Sequence, residues 1–400
     1  MALSQGRPYL AIPGPSVVPD RVLNAMHRAA PNIYEGEIIE LTARALDDLR
    51  RVAFSTSHVA IYVGNGHAGW EAAAANVFSR GDRALAVMTG QFGINWANAL
   101  RRMAVEIETL DFGRRSPADP AKVAAALGRD KGHTIRAVLV THVDTASSVR
   151  NDIAAIRAAI DAAGHPALLM VDGIASLGCD EFRMDDWGVD VFVAASQKGL
   201  MLPPGLGIVW FSDKAREASR RADWRTPYWD WEPRVFGPNF SNHFCGTAPT
   251  HHLFGLRESL AMILDEEGIE NVWARHRVLA GAVWAAFEAW SGGSDIEINI
   301  AGRAHRAHAV TAARLGGGNA GRLRQWCEQE AGITLGVGLG MALSSEPAYQ
   351  DFLRVAHMGH VNAHMTLGVL AAMQAGMVAL GIAHGPGALE AAAAVVALAG

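Results

Sequence analysis

Six short apolar runs alternate with helical patterns, and this constrains the fold more than any other feature of the chain. The runs are Val59–Val63, Ala84–Met88, Ala137–Thr141, Ala167–Val171, Asp190–Ala194 and Gly207–Phe211. Each is strand-length, and several are rich in valine or isoleucine. A helical pattern, Gly69–Ser79, follows the first run. Another, Arg150–Ala163, precedes the fourth with Ile153, Ile156 and Ile160 on one face. Strands that are apolar throughout must be covered on both sides, which is the signature of a largely parallel sheet between helices. The pattern runs to about residue 255 and predicts an α/β fold with a mostly parallel sheet.

The chain has 400 residues, too many for a single hydrophobic core. The expected division is an N-terminal arm over 1–20, a large domain over 21–284 and a smaller α+β domain over 285–400. Leu253–Trp290 reads as one long helix, and Ser291-Gly292-Gly293-Ser294 as a loop. Ile296–Ile300 and Ala307–Ala313 are strand-like, and Ala320–Ala331 is helical.

Net charge is −5, with no strong basic field, so nucleic acid is not an expected partner. Cys179, Cys245 and Cys327 are scattered without CxxC spacing. That suits a reducing cytoplasm and argues against a disulfide framework or a metal site. The first residues lack the pattern of a secretory signal. The uncharged stretch Thr366–Ala383 is rich in Gly and Ala and has no flanking basic or aromatic belt. It is expected to be a buried helix rather than a membrane span.

Chemistry-bearing residues stand at the ends of the apolar runs. Gly64-Asn65-Gly66-His67 follows the first run and can cradle an anion at a helix start; an ordinary tight turn fits equally well. It lacks a Walker lysine and the GxGxxG spacing, which disfavours ATP and dinucleotides. Phe92, in Gly90-Gln91-Phe92-Gly93, can stack on a planar ring or simply fill the core. Thr141–Ser148 is a polar loop at the sheet's carboxyl edge, where open α/β sheets bind ligands; Ser147 or Asp152 can also act there as a helix cap. Asp172 closes the fourth run and Lys198 follows the fifth, 26 positions on (198 − 172). Either residue alone fits a salt bridge. Together they are the pair a pyridoxal phosphate enzyme needs: a lysine to condense with the cofactor aldehyde, and a carboxylate to keep the pyridine nitrogen protonated. Arg354, between apolar residues far along the chain, can present a bidentate fork to a carboxylate or sit on an edge strand.

With these residues in order, the chain resembles the class V aminotransferases of fold type I, above all the serine–glyoxylate and alanine–glyoxylate enzymes. The likeness runs from Ile12-Pro-Gly-Pro-Ser16 through His165–Gly173, Ser196-Gln-Lys-Gly199 with its Pro203-Pro204-Gly205 sequel, and Gly255–Leu260, to Arg354–Gly359. The resemblance implies a seven-stranded-type sheet and a role for each matching position. Lys198 would hold the cofactor and carry the proton between substrate Cα and cofactor C4′, with Asp172 on the pyridinium nitrogen. Gly66, His67 and Gln197 would lie at the phosphate, Phe92 on the ring, and Thr145 near the phenolic oxygen. Arg354 would clamp the substrate carboxylate. Thr247 would reach the phosphate of a second subunit, which implies a homodimer with shared sites.

The chain departs from relatives at Phe244, where they often have Tyr, and at Val63-Gly64-Asn65 in the phosphate turn. Ser147-Ser148 replaces a Thr-Gly, and Ile33-Tyr34 replaces a His-Arg pair at the site entrance, which makes Tyr34 a candidate substrate contact.

The activity implied is ping-pong transamination from a small amino acid, such as serine or alanine, to a small 2-keto acid, glyoxylate. The alternatives are a lyase or desulfurase on the same cofactor, an aminotransferase using aspartate or a pyridoxamine-like amine, and a non-catalytic cofactor-binding module. A desulfurase needs a mobile, exposed cysteine, and neither Cys327 in its helical pattern nor Cys245 suits that role.

Overall fold

The computed structural model describes residues 3–399. Seven strands form the large sheet, in the spatial order His58–Gly64, Gly205–Phe211, Val191–Ala195, Leu168–Asp172, Ile135–Thr141, Arg83–Met88, Glu106–Asp111. Only Gly205–Phe211 runs antiparallel to its neighbours. The other pairings are parallel, such as Val140 against Val171 and Thr141 against Asp172. Val191–Ala195 and Leu168–Asp172 are buried along their whole length. That burial explains why these strands read as unbroken apolar runs.

Helices cover both faces. Glu37–Val52 packs with Ile38, Leu41, Ala45, Leu49 and Val52, the i, i+3, i+4 stripe of a helix against a sheet. On the other face Gly66–Val77 lies so close that a Cβ on Gly69 would come within 2.6 Å of Val193. Asp152 supplies the cap of helix Ile153–Ala162, accepting from Ala155 N at 2.9 Å.

A second sheet has five strands in the order Tyr9–Ala11, Ile333–Val337, Phe352–Ala356, Val310–Arg314, Glu297–Ile298. Its core joins Val283, Phe287 and Trp290 to Leu323, Leu353, Leu370 and Met373. The start of the chain is therefore a strand, pairing Tyr9 with Ile333 in parallel. Arg354 sits on an interior strand, bonded on both sides, which removes the edge-strand reading.

Three local expectations need correction. Leu253–Trp290 is two helices, Thr250–Ala261 and Ile269–Trp290, joined by a wide π-helical turn over Met262–Glu267 and by Gly268 at φ 82°. The acidic cluster drives the break, because its members bind different arginines: Asp265 to Arg51, Glu266 to Arg21 and Glu267 to Arg275. The strand expected over Ala307–Ala313 is Val310–Arg314, since Ala307 N donates to Ser148 O and His308 N to Asp180, outside the sheet. The apolar helix near the C-terminus, Ala363–Leu380, buries one face through Val369, Leu370, Met373 and Met377, while Val378 is 67% exposed. Burial holds for that face alone.

Candidate active site

The parallel strands deliver their carboxyl ends to one edge, and a cavity of about 210 Å³ opens there. Gly66, His67, Trp70, Phe92, Thr145, Asp172, Gln197 and Lys198 line it, together with Asn65, Val143, Ile174 and Ala175. Residues spread over more than a hundred positions thus meet because each follows a strand of the same sheet.

Asp172 is the last residue of its strand and is 3% exposed. Its Oδ1 accepts from Ile174 N at 2.8 Å, and the Trp70 side chain lies close enough to favour the ionised carboxylate. Burial pushes its carboxyl up to about 7, with the Ile174 N–H pulling the other way. His142 lies beneath, its N–H donating to Asp172 O, and its ring packs edge-on to Trp187. Burial pulls that imidazole down to about 4, so it stays neutral.

Lys198 reaches the same cavity from the turn after Val191–Ala195. Its ammonium donates to Pro13 O. Burial, and then the nearby charge of Arg354, pull it down to about 8. Residues 13–16 form a wall over this lysine. Ser16 Oγ donates to Lys198 O at 2.7 Å, and a Cβ on Gly14 would collide with the lysine side chain, so only glycine fits there.

The turn after His58–Gly64 opens helix Gly66–Val77. Asn65 caps it by accepting from His67 N at 3.0 Å, which takes up one of the donors expected for an anion. Gly66, as the first helical residue, retains its N–H. One end of the Gln197 amide is buried with no partner. Phe92 begins helix Gln91–Arg102 and meets Trp70 edge-on, with centroids 6.5 Å apart.

Arg354 is 6% exposed. Nε donates to Val337 O at 2.7 Å and Nη1 to Thr145 O at 2.9 Å, so it adjoins the cavity through Thr145. Nη2 has no protein acceptor. Burial pulls the guanidinium down to about 10, and Asp144 opposes this.

Two expected residues lie elsewhere. Tyr34 is 86% exposed, on a separate cleft of about 590 Å³ that Gly246 and Ala248 also line. Thr247, exposed between those two residues, shares that surface. Neither lines the 210 Å³ cavity. Phe244 is buried, its ring edge-on to Phe240 at 5.5 Å, and has no hydroxyl to offer a phosphate. Ser148 is at φ 60°, the left-handed region that favours glycine.

Sequence reasoning missed Asp144, Trp70 and Pro13. Asp144 stood in a loop already singled out, and an acid beside two strand-end turns was the available signal. Trp70 follows the glycine turn at helical spacing. Pro13 carries no signal, because its carbonyl acts and its side chain does not.

A planar, phosphorylated pyridine fits this donor set. A ring N–H would meet the Asp172 carboxylate, whose pKa, raised by burial, would be lowered again by a cation beside it. A phosphate would meet the Gly66 N–H at a helix start.

Residues 9–365 match the family model for class-V aminotransferases. The chain belongs to that family. It is 36% identical to a serine–glyoxylate aminotransferase of Methylorubrum extorquens, over 97% of this chain and 95% of that one. It is also 36% identical to an L-aspartate–glyoxylate aminotransferase of Paracoccus denitrificans, over 93% and 91%. Among solved structures it resembles pyridoxamine–pyruvate aminotransferase from Mesorhizobium loti, with a TM-score of 0.86 and 26% identity over 99% and 98% of the two chains. As a class-V aminotransferase, the chain uses the fold type I arrangement of a large sheet flanked by helices.

Proposed function

We propose that this aminotransferase uses pyridoxal phosphate and moves an amino group from a small amino acid to glyoxylate or a similar small 2-keto acid. One observation carries the cofactor assignment: a buried carboxylate of raised pKa faces the same small cavity as a lysine of depressed pKa. The bound cofactor supplies an electron sink that stabilises negative charge at the substrate Cα. Asp172 holds the proton on the ring nitrogen. Lys198 Nζ, already shifted toward neutrality, would hold the cofactor and would accept the proton from the substrate Cα. Arg354 accepts the substrate carboxylate on its free Nη2 and orients the Cα–H bond toward the lysine. Gly66, His67 and Gln197 anchor the phosphate, Phe92 covers the ring, and Thr145 holds the phenolic side.

The acceptor and donor follow from the relatives, whose names give serine and L-aspartate as donors and glyoxylate as acceptor. Tyr34 and Thr247 support a homodimer with shared sites, because they share an exposed surface outside this chain's own cavity. We place the enzyme in the cytoplasm, with no nucleic acid or membrane partner, on its charge and cysteine pattern. No cysteine suits the desulfurase alternative: Cys179 and Cys327 are buried, their thiols pushed up to about 12, and Cys245 does not line the cavity.

The test is a single-turnover panel of L-serine, L-alanine and L-aspartate on purified enzyme, read as loss of the visible band of lysine-bound cofactor. Conversion by a small donor, with recovery on adding glyoxylate, is the expected result. A wild-type protein that takes up no pyridoxal phosphate would end the proposal.

A further inference from the structure

We propose that Asp144 is a positioning residue that fixes the cofactor's stacking face and the substrate-carboxylate arginine relative to one another. This rests on the pyridoxal phosphate reading above. Asp144 is fully buried and touches neither Lys198 nor Asp172 through a hydrogen bond. Its Oδ2 accepts from Phe92 N at 2.8 Å and Gly93 N at 3.2 Å, the first turn of helix Gln91–Arg102. Its Oδ1 accepts from Ala146 N at 2.9 Å and Ser147 N at 3.4 Å, in its own loop. One carboxylate therefore ties two loops that follow neighbouring strands. A carboxylate suits this place because helix-start N–H groups carry partial positive charge.

The two tied loops bear the working groups. The first carries Phe92 on the cavity wall. The second carries Thr145, which lines the cavity and whose carbonyl receives Arg354 Nη1. The second loop is also stitched to the small sheet: Asn299 Nδ2 donates to Ser147 O at 2.8 Å, and Ala312 N to Ser148 Oγ at 3.2 Å. Asp144 thus lies where the two sheets meet. Its charge also supports the ionised form of Arg354. Gly90 keeps space for it, since a Cβ there would come within 2.3 Å of Asp144 Cγ, although Gly90 is at an ordinary extended φ of 174°.

Asp144→Asn keeps the size but places an N–H₂ against backbone N–H donors. With the best donor of the panel, KM rises about 10-fold or more, while kcat falls far less. The circular dichroism of the bound-cofactor band changes as Phe92 moves. The deciding measurement is a double-mutant cycle with Arg354→Ala. If Asp144 acts through the clamp, its substitution costs little further KM in the Arg354→Ala background. Equal losses in both backgrounds, or an unchanged dichroism band, would overturn the proposal. Gly90→Ala serves if Asp144→Asn does not fold, because it presses on the same carboxylate without removing it. The same pattern is expected from it, and wild-type KM and dichroism there would count against the proposal. Failure of the cofactor reading is separate: it shows as a wild type without a visible band.

Discussion

The seven-stranded sheet brings Asp172, Lys198 and Gln197 to its edge with bonding capacity left over, whereas the five-stranded sheet brings Arg354 already donating through two of its nitrogens. The difference is one of geometry. Successive parallel strands of the large sheet end at one edge, so each turn can hold a group turned toward the ligand and away from the protein. The small sheet offers a side chain from the middle of an interior strand, which must be held in place from both sides before it can select anything. On the proposed reading, the first region would receive the cofactor and the second would read the substrate.

Substitutions at the large-sheet edge should therefore abolish chemistry, and those in the small sheet should change affinity. Lys198→Ala should remove the visible band and lower turnover by more than about 10⁴-fold, since both attachment and proton transfer are lost. Retained turnover in that variant would break the comparison. Asp172→Asn should lower kcat by about 10²–10³-fold with the cofactor still bound, as expected for loss of one pre-placed charge in a dry site. Arg354→Lys should raise the donor KM by about 10-fold, with a smaller change in kcat, because lysine cannot reproduce the fork. A kcat-only effect there would show that the small sheet does chemistry.

The smallest effect is on the cofactor-free protein. The folded carboxyl of Asp172, raised to about 7, binds its proton more tightly than the unfolded one near 3.8. Its contribution to stability is thus full below about pH 4 and is lost as pH rises through about 7. Urea unfolding should show a falling stability across that window, at most about 1.4 kcal/mol per pH unit. Asp172→Asn should flatten it, and pyridoxal phosphate should do the same by supplying a cation.

Most of the large sheet was legible because burial on both faces leaves continuous apolar runs, five of them followed by residues with their own chemistry; the edge strand Glu106–Asp111, polar and partly exposed, left no such run. Asp172 and Lys198 were found that way. The small sheet was less legible. Glu297–Ile298 forms only a two-residue pairing, and Ala307 and His308 spend their N–H groups on Ser148 and Asp180, which lie in loops, so strand length could not be read from pattern. The break at Gly268 was hidden because Met262–Glu267 keeps helical composition. The sharing of Asp144 between two loops could not be read at all, since its partners are backbone N–H groups 52 and 51 residues away.

The opening strand has a consequence for how the enzyme is made. Tyr9–Ala11 is made well before its partner, which begins at Ile333, 324 residues later (333 − 9). At about 5–20 residues per second, those residues wait roughly 16–65 s for the strand that seats them. Ser16 can meet Gln197 O and Lys198 O as soon as that turn is made, but the residues before Pro13 still lack their sheet partner. The large sheet can assemble before Ile333–Val337 is made, so the reactive amine is in place before the strand that anchors one side of its cover.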